Sequence, residues 1–353
     1  MLAAEERKGS RLRSLRLGER CGLRVSRLTL GTMNFGVPGR GHQGDWTLDE
    51  DAARPIFEKA VEHGLFTFDC ADIYGLGASE EVVGKILRGM LGRDEYVLTT
   101  KVSMPMGRGA NQGGLSRKHV LEGIDRSLQR LGLDYVDQLI IHRHPHAIPG
   151  QAAAPIEETM GALHDVVKAG KALYLGASSM FAWQFVQLQH VARANGWTEF
   201  VSMQNHYNLV YREEEREMLP YCAEAGIAVM PWSPLARGIL TGSYRGGFDG
   251  GSTDRSQGQD RERTESLYRG RNTFAIAERV VEVAGRHGCT PAQIALAWLL
   301  AKPVVTSPVV GVSKVSQLED LIAATRIELS EDDVAYLEEL YEPVENLLSS
   351  GHS

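Results

Sequence analysis

One repeated unit organises this sequence: an amphipathic, helix-like stretch ends at a glycine, and a short β-rich run begins within a few residues. Gly64, Gly92, Gly132, Gly170, Gly196 and Gly226 stand at these stops. Each suits the position just past a helix, where the backbone turns left-handed and a Cβ would clash. The runs that follow are residues 66–71, 96–102, 135–142, 172–178, 200–205 and 227–232. They are almost unbroken apolar runs, as expected of parallel strands covered on both faces. An opening strand at 25–30 and a late one at 306–312 bring the count to eight. Strand–helix alternation this dense implies a parallel sheet, and eight units imply that it closes into a (β/α)8 TIM barrel. A length of 353 residues suits one such barrel with added loops.

Apolar residues between the runs keep helical spacing. Leu121, Ile124, Leu128 and Leu131 form one stripe behind a Ser116 cap, and Ile156, Met160, Leu163 and Val167 form another. Pro55 interrupts the first helical pattern and implies a kink or a later start. Two-residue alternation ahead of residue 25, broken by Gly18 and Gly22, predicts an N-terminal β-hairpin across the barrel bottom. Residues 330–341 read as an extra C-terminal helix capped by Ser330. The domain expected is 15–345, between a charged tail at 1–14 and a second tail at 346–353. Within it, the Gly/Ser-rich stretch 242–272 is expected as a long mobile loop on the active face, either a lid or partly disordered surface.

A net charge of −7 argues against nucleic acid or an anionic membrane as the main partner. No apolar run approaches membrane-spanning length. Cys21, Cys70, Cys222 and Cys289 lie far apart with no C-x-x-C pair, the usage of a reduced cytosolic protein. The expectation is a soluble cytoplasmic chain acting on a small molecule, with homo-oligomer formation open.

In such barrels reactive groups sit at the C-terminal ends of strands. Those ends read Asp69, Lys101, His142, Ser178, Gln204, Trp232 and Gly311. Polar groups there are costly to bury without purpose. Asp69 and Lys101, from adjacent strands, are placed to form a buried ion pair, with Tyr74 five residues beyond Asp69. A phenol is a weak acid near neutral pH, and a neighbouring ammonium favours its ionised form. Lys101 is expected to lower the pKa of Tyr74 in this way, with Asp69 orienting the lysine. His142 is then placed to hydrogen-bond a carbonyl oxygen as it gains charge.

Five stretches carry a family resemblance: FDCADIYGLGASEEVVGKIL (68–87), TTKV (99–102), LDYVDQLIIHRH (133–144), GKALYLGASS (170–179) and PWSPLARGIL (231–240). Over residues 15–345 the chain resembles the aldo-keto reductases, nearest to bacterial members of the aryl-alcohol-dehydrogenase-like and potassium-channel-β-subunit-like branch. The resemblance implies a catalytic tetrad of Tyr74, Asp69, Lys101 and His142, and hydride transfer from a nicotinamide to a carbonyl that Tyr74 protonates. It implies that Ser178, Ser179 and Gln204 hold the carboxamide, that Trp232 stacks on the ring, and that Thr32, Met33 and Asp69 also border the cofactor. Ser233, Leu235, Arg237 and Gly238 would follow the pyrophosphate, and Gly311, Ser313, Lys314 and Gln317 the adenosine 2′-phosphate. Three positions depart from the family pattern: Ser179 replaces a common Asn, Trp232 a Tyr or Phe, and Leu321 an Asn.

NADPH is expected over NADH because Lys314 opens the last barrel helix, where N–H groups favour an anion, and no acid stands there for a ribose hydroxyl. Gly75-Leu76-Gly77 is a fragment of a dinucleotide fingerprint, with Glu80 in the third glycine's place, so these glycines read as turn residues. His142, His144 and His146 suggest a metal site, but further ligands are missing from the other strand ends, and His144 and His146 read as solvated loop residues with no metal bound. Met104, Met106, Trp46 and Phe35 are candidates for an apolar substrate wall. The leading expectation is an NADPH-dependent reductase of aldehydes or ketones; the alternatives are an NADPH-binding regulatory subunit with little turnover and a metal-dependent hydrolase on the same barrel. Aromatic aldehydes, sugar-like ketones and secondary-metabolite ketones all fit as substrates.

Overall fold

The computed structural model describes residues 11–343, apart from 42–45, 149, 245, 252–259 and 271. A two-stranded antiparallel hairpin, β1 (Ser14–Arg16) and β2 (Arg24–Ser26), precedes eight parallel strands. These are β3 (Thr29–Gly31), β4 (Thr67–Asp69), β5 (Val97–Val102), β6 (Val136–Ile141), β7 (Ala172–Ser178), β8 (Phe200–Gln204), β9 (Ala228–Val229) and β10 (Val309–Val310). Neighbours in sequence are neighbours in the sheet, and β10 pairs with β3. Parallel bridges Val229–Val305 and Trp232–Val309 join the last edge to β9, so the sheet closes as a (β/α)8 barrel.

The expected opening strand at 25–30 is two elements: residues through Ser26 belong to the hairpin, and the barrel begins at Thr29. Ser26 makes the break, bonding the Leu28 carbonyl and the Thr67 amide through its hydroxyl. The hairpin lies under the barrel, where Leu17, Cys21 and Val25 pack on Val97, Val201 and Ala228. Gly18 touches the strand ends there: with φ +71°, its Cβ would stand 2.7 Å from the Gly226 carbonyl. Because β1 starts at Ser14, the expected tail at 1–14 runs too far; residues 1–10 and 344–353 lie outside the described part.

The helices form where the caps predict. Ser116 accepts the His119 N–H to open Arg117–Leu131, and Gly132 closes that helix at φ +66°. Its buried stripe runs through Val120, Ile124, Leu128 and Leu131, with Leu121 only half-buried. In Ile156–Lys168 the buried residue is Val166, not Val167. Gly64, Gly170, Gly196 and Gly226 also turn left-handed, whereas Gly92 does not: at φ −62° it opens a short 3₁₀ turn. Pro55 lies inside a helix that starts at Glu50 behind an Asp49 cap, so it delays nothing. The C-terminal helix Glu331–Glu338 is capped by Ser330 and docks through Glu338, which accepts from Trp298, Arg212 and Lys302. Among the described residues no helix is long and apolar enough to cross a membrane.

β5 and β6 are buried along their whole length, so alternation decides where each side chain points. Thr99 and Lys101 face inward and both bond Asp69, while Thr100 faces outward and bonds Glu80. Glu80 also pairs with Arg130 at 2.6 Å, and this brings the arginine across Gly77.

Candidate active site

The rim at the strand C-termini holds the four residues singled out from the sequence. Lys101 is fully buried and donates to Asp69 Oδ2 at 2.5 Å, to the Cys70 carbonyl at 2.9 Å and to Tyr74 Oη at 3.3 Å. Asp69 Oδ1 accepts from Thr99 Oγ1 at 2.7 Å and Gln204 Nε2 at 2.9 Å. The carboxylate is thus held from β5 and β8, and the ammonium's remaining side-chain bond reaches outward to the phenol. Tyr74 sits where β4 leads into the helix Ala78–Met90, on a turn with left-handed Gly75, Leu76 and Gly77. His142 meets it edge-on with ring centroids 5.9 Å apart, and its Nδ1 is buried without a partner.

Burial lowers the Lys101 pKa, but the Asp69 and Tyr74 charges outweigh that effect and hold it above its ordinary value. For Tyr74 the balance runs against the expectation. Burial raises the phenol's pKa more than Lys101 lowers it, so the net shift is upward. Burial, with the Lys101, Arg143 and Arg263 cations, holds the His142 imidazole well below its usual pKa and therefore neutral.

A second group continues around the rim. Trp232 lies flat on His206, rings 4.1 Å apart at 8°, and His206 lies in turn on Tyr211 at 4.2 Å. Trp232 Nε1 donates to Ser179 Oγ at 2.9 Å, and Ser179 and Ser178 bond each other. Ser179 is left-handed at φ +50°, a conformation in which Asn is favoured, which gives a reason for the family's usual residue there. Beyond Trp232 the chain is left-handed at Ser233, Ala236, Arg237 and Gly238, with half-buried Leu235 among them.

The stretch 242–272 is part of this group. It carries a helix, Asp260–Tyr268, whose Asp260 pairs with Arg237, whose Thr264 accepts from Arg237 Nε, and whose Tyr268 Oη lies 2.7 Å from His206 Nε2. Its residues 245, 252–259 and 271 lie outside the described part. Asn208 bonds both Tyr268 and the Ser233 carbonyl. Sequence reasoning missed His206, Asn208 and Tyr268. The first two continue β8 past Gln204 and could have been found by extending the strand-end reading; a tyrosine in a polar insertion gives no such signal.

Other expected contacts fare unevenly. Thr32 is buried, its hydroxyl occupied by the Asp69 carbonyl and Ser79, while Met33 beside it is half-buried. Gly311 and the Val312 carbonyl meet the buried Asn34. Gln317 Oε1 accepts the Ser313 and Lys314 amides, so a side chain already covers the helix N-terminus expected to face an anion. Lys314 itself is exposed, and Leu321 is buried in the core. Phe35 also belongs to the core, against Phe57, and is no pocket wall; Met104, Met106 and Trp46 are half-buried. His144 is buried and not solvated, its pKa pushed down to about 4 by burial, and only His146 is exposed. Among the described residues no three metal-binding side chains converge.

A closed barrel with a lysine bridging aspartate and tyrosine at its C-terminal rim, and a neutral histidine beside them, defines an α/β-barrel enzyme. The chain belongs to the Aldo/keto reductase family, whose model matches residues 27–342. It is 42% identical to a putative aryl-alcohol dehydrogenase of Schizosaccharomyces pombe, over 92% of this chain and 94% of the relative. It is 41% identical to a versiconal hemiacetal acetate reductase of Aspergillus parasiticus, over 93% and 96%, and 34% identical to a putative aryl-alcohol dehydrogenase of Saccharomyces cerevisiae, over 94% and 98%. These relatives are fungal and lend no support to the bacterial branch. The chain is an oxidoreductase of a family that works with NAD(P)H on carbonyl compounds.

Proposed function

We propose that this enzyme reduces aldehydes or ketones to alcohols with NADPH, using Tyr74 as general acid. The observation that carries the reading is the Lys101 ammonium, which reaches Tyr74 Oη while bonded to Asp69. The raised phenol pKa fits the role, because the proton stays on Tyr74 Oη until a carbonyl oxygen accumulates charge. Lys101 then stabilises the phenolate left behind, and Asp69 keeps the lysine charged and aimed. Neutral His142 is a hydrogen-bond donor to the same carbonyl oxygen and orients the substrate.

The residues on this rim fit a nicotinamide cofactor. Trp232 has one face covered by His206 and remains half-exposed, leaving a ring surface for stacking. Left-handed residues from Ser233 to Gly238 form a main-chain curve of the kind that receives phosphates. When bound, the reduced nicotinamide supplies the hydride. The preference for NADPH rests on Lys314, which among the described residues pairs with no carboxylate. On this reading Ser178 and Gln204 would hold the carboxamide, and a cytoplasmic location agrees with four free thiols.

The test is Tyr74→Phe assayed with a panel of aromatic and aliphatic aldehydes. NADPH consumption should fall about 10²–10⁴-fold while NADPH still binds, read by the cofactor's fluorescence. Undiminished turnover in the variant would exclude Tyr74 as the acid.

A further inference from the structure

Arg143 follows His142 directly, at the same strand end, and is half-buried. Its only hydrogen bond among the described residues runs from Nη1 to the His142 carbonyl, at 2.7 Å. Every other half-buried arginine among those residues is ion-paired, as Arg93 is to Asp137, Arg130 to Glu80 and Arg237 to Asp260, or bonds three carbonyls, as Arg27 does. A guanidinium carries five donors in a planar fork, and removing it from water is costly unless they are engaged. Arg143 therefore stands out as a cation held at the catalytic rim without a counterion.

Among the described residues its surroundings supply none. Asp69 is bonded to Lys101, and Asp260 is taken by Arg237. The cations that act on His142 are Lys101, which Asp69 balances, Arg143, and exposed Arg263 of the helix Asp260–Tyr268, and Arg263 also acts on Arg143. Arg263 has no carboxylate partner among the described residues either. Guanidinium groups that act on one another, with no carboxylate paired to either among the described residues, are unfavourable by themselves and raise the local concentration of anionic ligands. The pyrophosphate of a cofactor, on the proposed reading, lies along Ser233–Gly238 beyond Trp232, whereas Arg143 follows His142 and is within electrostatic reach of Tyr74, on the carbonyl side.

We propose that Arg143, with Arg263 completing the charge, is an anion-recognition site that fits this enzyme to carbonyl compounds bearing a carboxylate. The planar fork matches a carboxylate by two parallel N–H···O bonds, which sets the distance between the anion and the carbonyl presented to Tyr74 and His142. This rests on the reductase reading for its carbonyl, but the site itself does not require turnover.

The experiment compares 3- and 4-carboxybenzaldehyde with their methyl esters, which present the same aldehyde without the charge. The native enzyme should favour an acid over its ester by about tenfold or more in kcat/KM, mainly through KM, and the preference should shrink as salt is raised. Arg143→Gln should abolish that preference, Arg263→Gln should weaken it, and Arg143→Lys should restore part of it. Circular dichroism and thermal melting establish that each variant is folded. In parallel, benzoate and terephthalate are titrated onto the native enzyme and Arg143→Gln, with NADP⁺ present, by tryptophan fluorescence. Equal rates for acid and ester in the native enzyme, or an acid preference that survives Arg143→Gln, would overturn the proposal. If no aldehyde is reduced but carboxylates bind to the native enzyme and not to Arg143→Gln, the anion site stands and the reductase reading fails.

Discussion

Trp232 lies on His206 with its ring only 8° out of parallel, and the imidazole beneath it is tied to Tyr268 at 2.7 Å. The indole's orientation is therefore fixed from behind by a residue of β8's continuation and by the helix Asp260–Tyr268. A stacked aromatic pair contributes about 0.5–1.5 kcal/mol beyond its area. His206→Ala should weaken NADPH binding about two- to tenfold, measured by fluorescence titration, with a smaller change in kcat. Tyr268→Phe should produce part of that loss. Unchanged affinity in both variants would detach the ring stack from cofactor binding.

The Asp69–Lys101 pair makes a stability prediction as well as a catalytic one. Lys101→Met leaves a buried carboxylate facing Thr99 and Gln204 alone, and breaking such a pair costs about 3–5 kcal/mol. Urea denaturation should show that loss, together with collapse of turnover. Adding Asp69→Asn in the same chain should recover much of the stability and none of the activity. A double variant as unstable as the single one would mean that the pair's charges are not what holds this layer.

The pH dependence follows from neutral imidazoles and a raised phenol. His206 is pushed down to about 3 and His142 lies well below its usual value, both chiefly through burial. Neither gains a proton in the ordinary histidine range. Tyr74 is shifted above its ordinary 10.0, so its protonated form persists on the alkaline side. Reduction measured as kcat should therefore be flat from about pH 6 to about pH 9 and decline only beyond. A step between pH 6 and 7 that disappears in His142→Asn would show that the imidazole titrates after all.

Gly77 is a backbone position near the site that is sensitive to a single substitution. At φ +91° its missing Cβ would meet Arg130 Cδ at 2.4 Å, and Arg130 is held by Glu80. Gly77→Ala should cost about 1–3 kcal/mol from strain alone and displace Tyr74, three residues earlier. The expected readout is a lower melting temperature with kcat reduced more than NADPH affinity.

The fold was legible because each barrel unit repeats two strong local signals, a left-handed stop and an apolar strand. Residue 25 was misassigned because the hairpin and the first barrel strand run together in sequence, and only the Ser26 hydroxyl bonds separate them. That Asp69, Lys101 and His142 lie together was readable because they stand at the C-terminal ends of adjacent strands. The sign of the Tyr74 shift was not, since it depends on how deeply the phenol is buried, a property of the packed molecule. Gln317 makes the same point: its spacing from Lys314 is visible in sequence, but that the amide turns back onto Ser313 and Lys314 is a matter of rotamer. Tyr268 was invisible because a helix within a polar insertion has no apolar stripe to announce it.

The N-terminal hairpin closes the end of the barrel farthest from the chemistry by laying Leu17, Cys21 and Val25 over Val97, Val201 and Ala228. The barrel interior is filled by side chains and gives no passage to a ligand, so residues 14–26 bear on the stability of that packed interior and not on access to the rim.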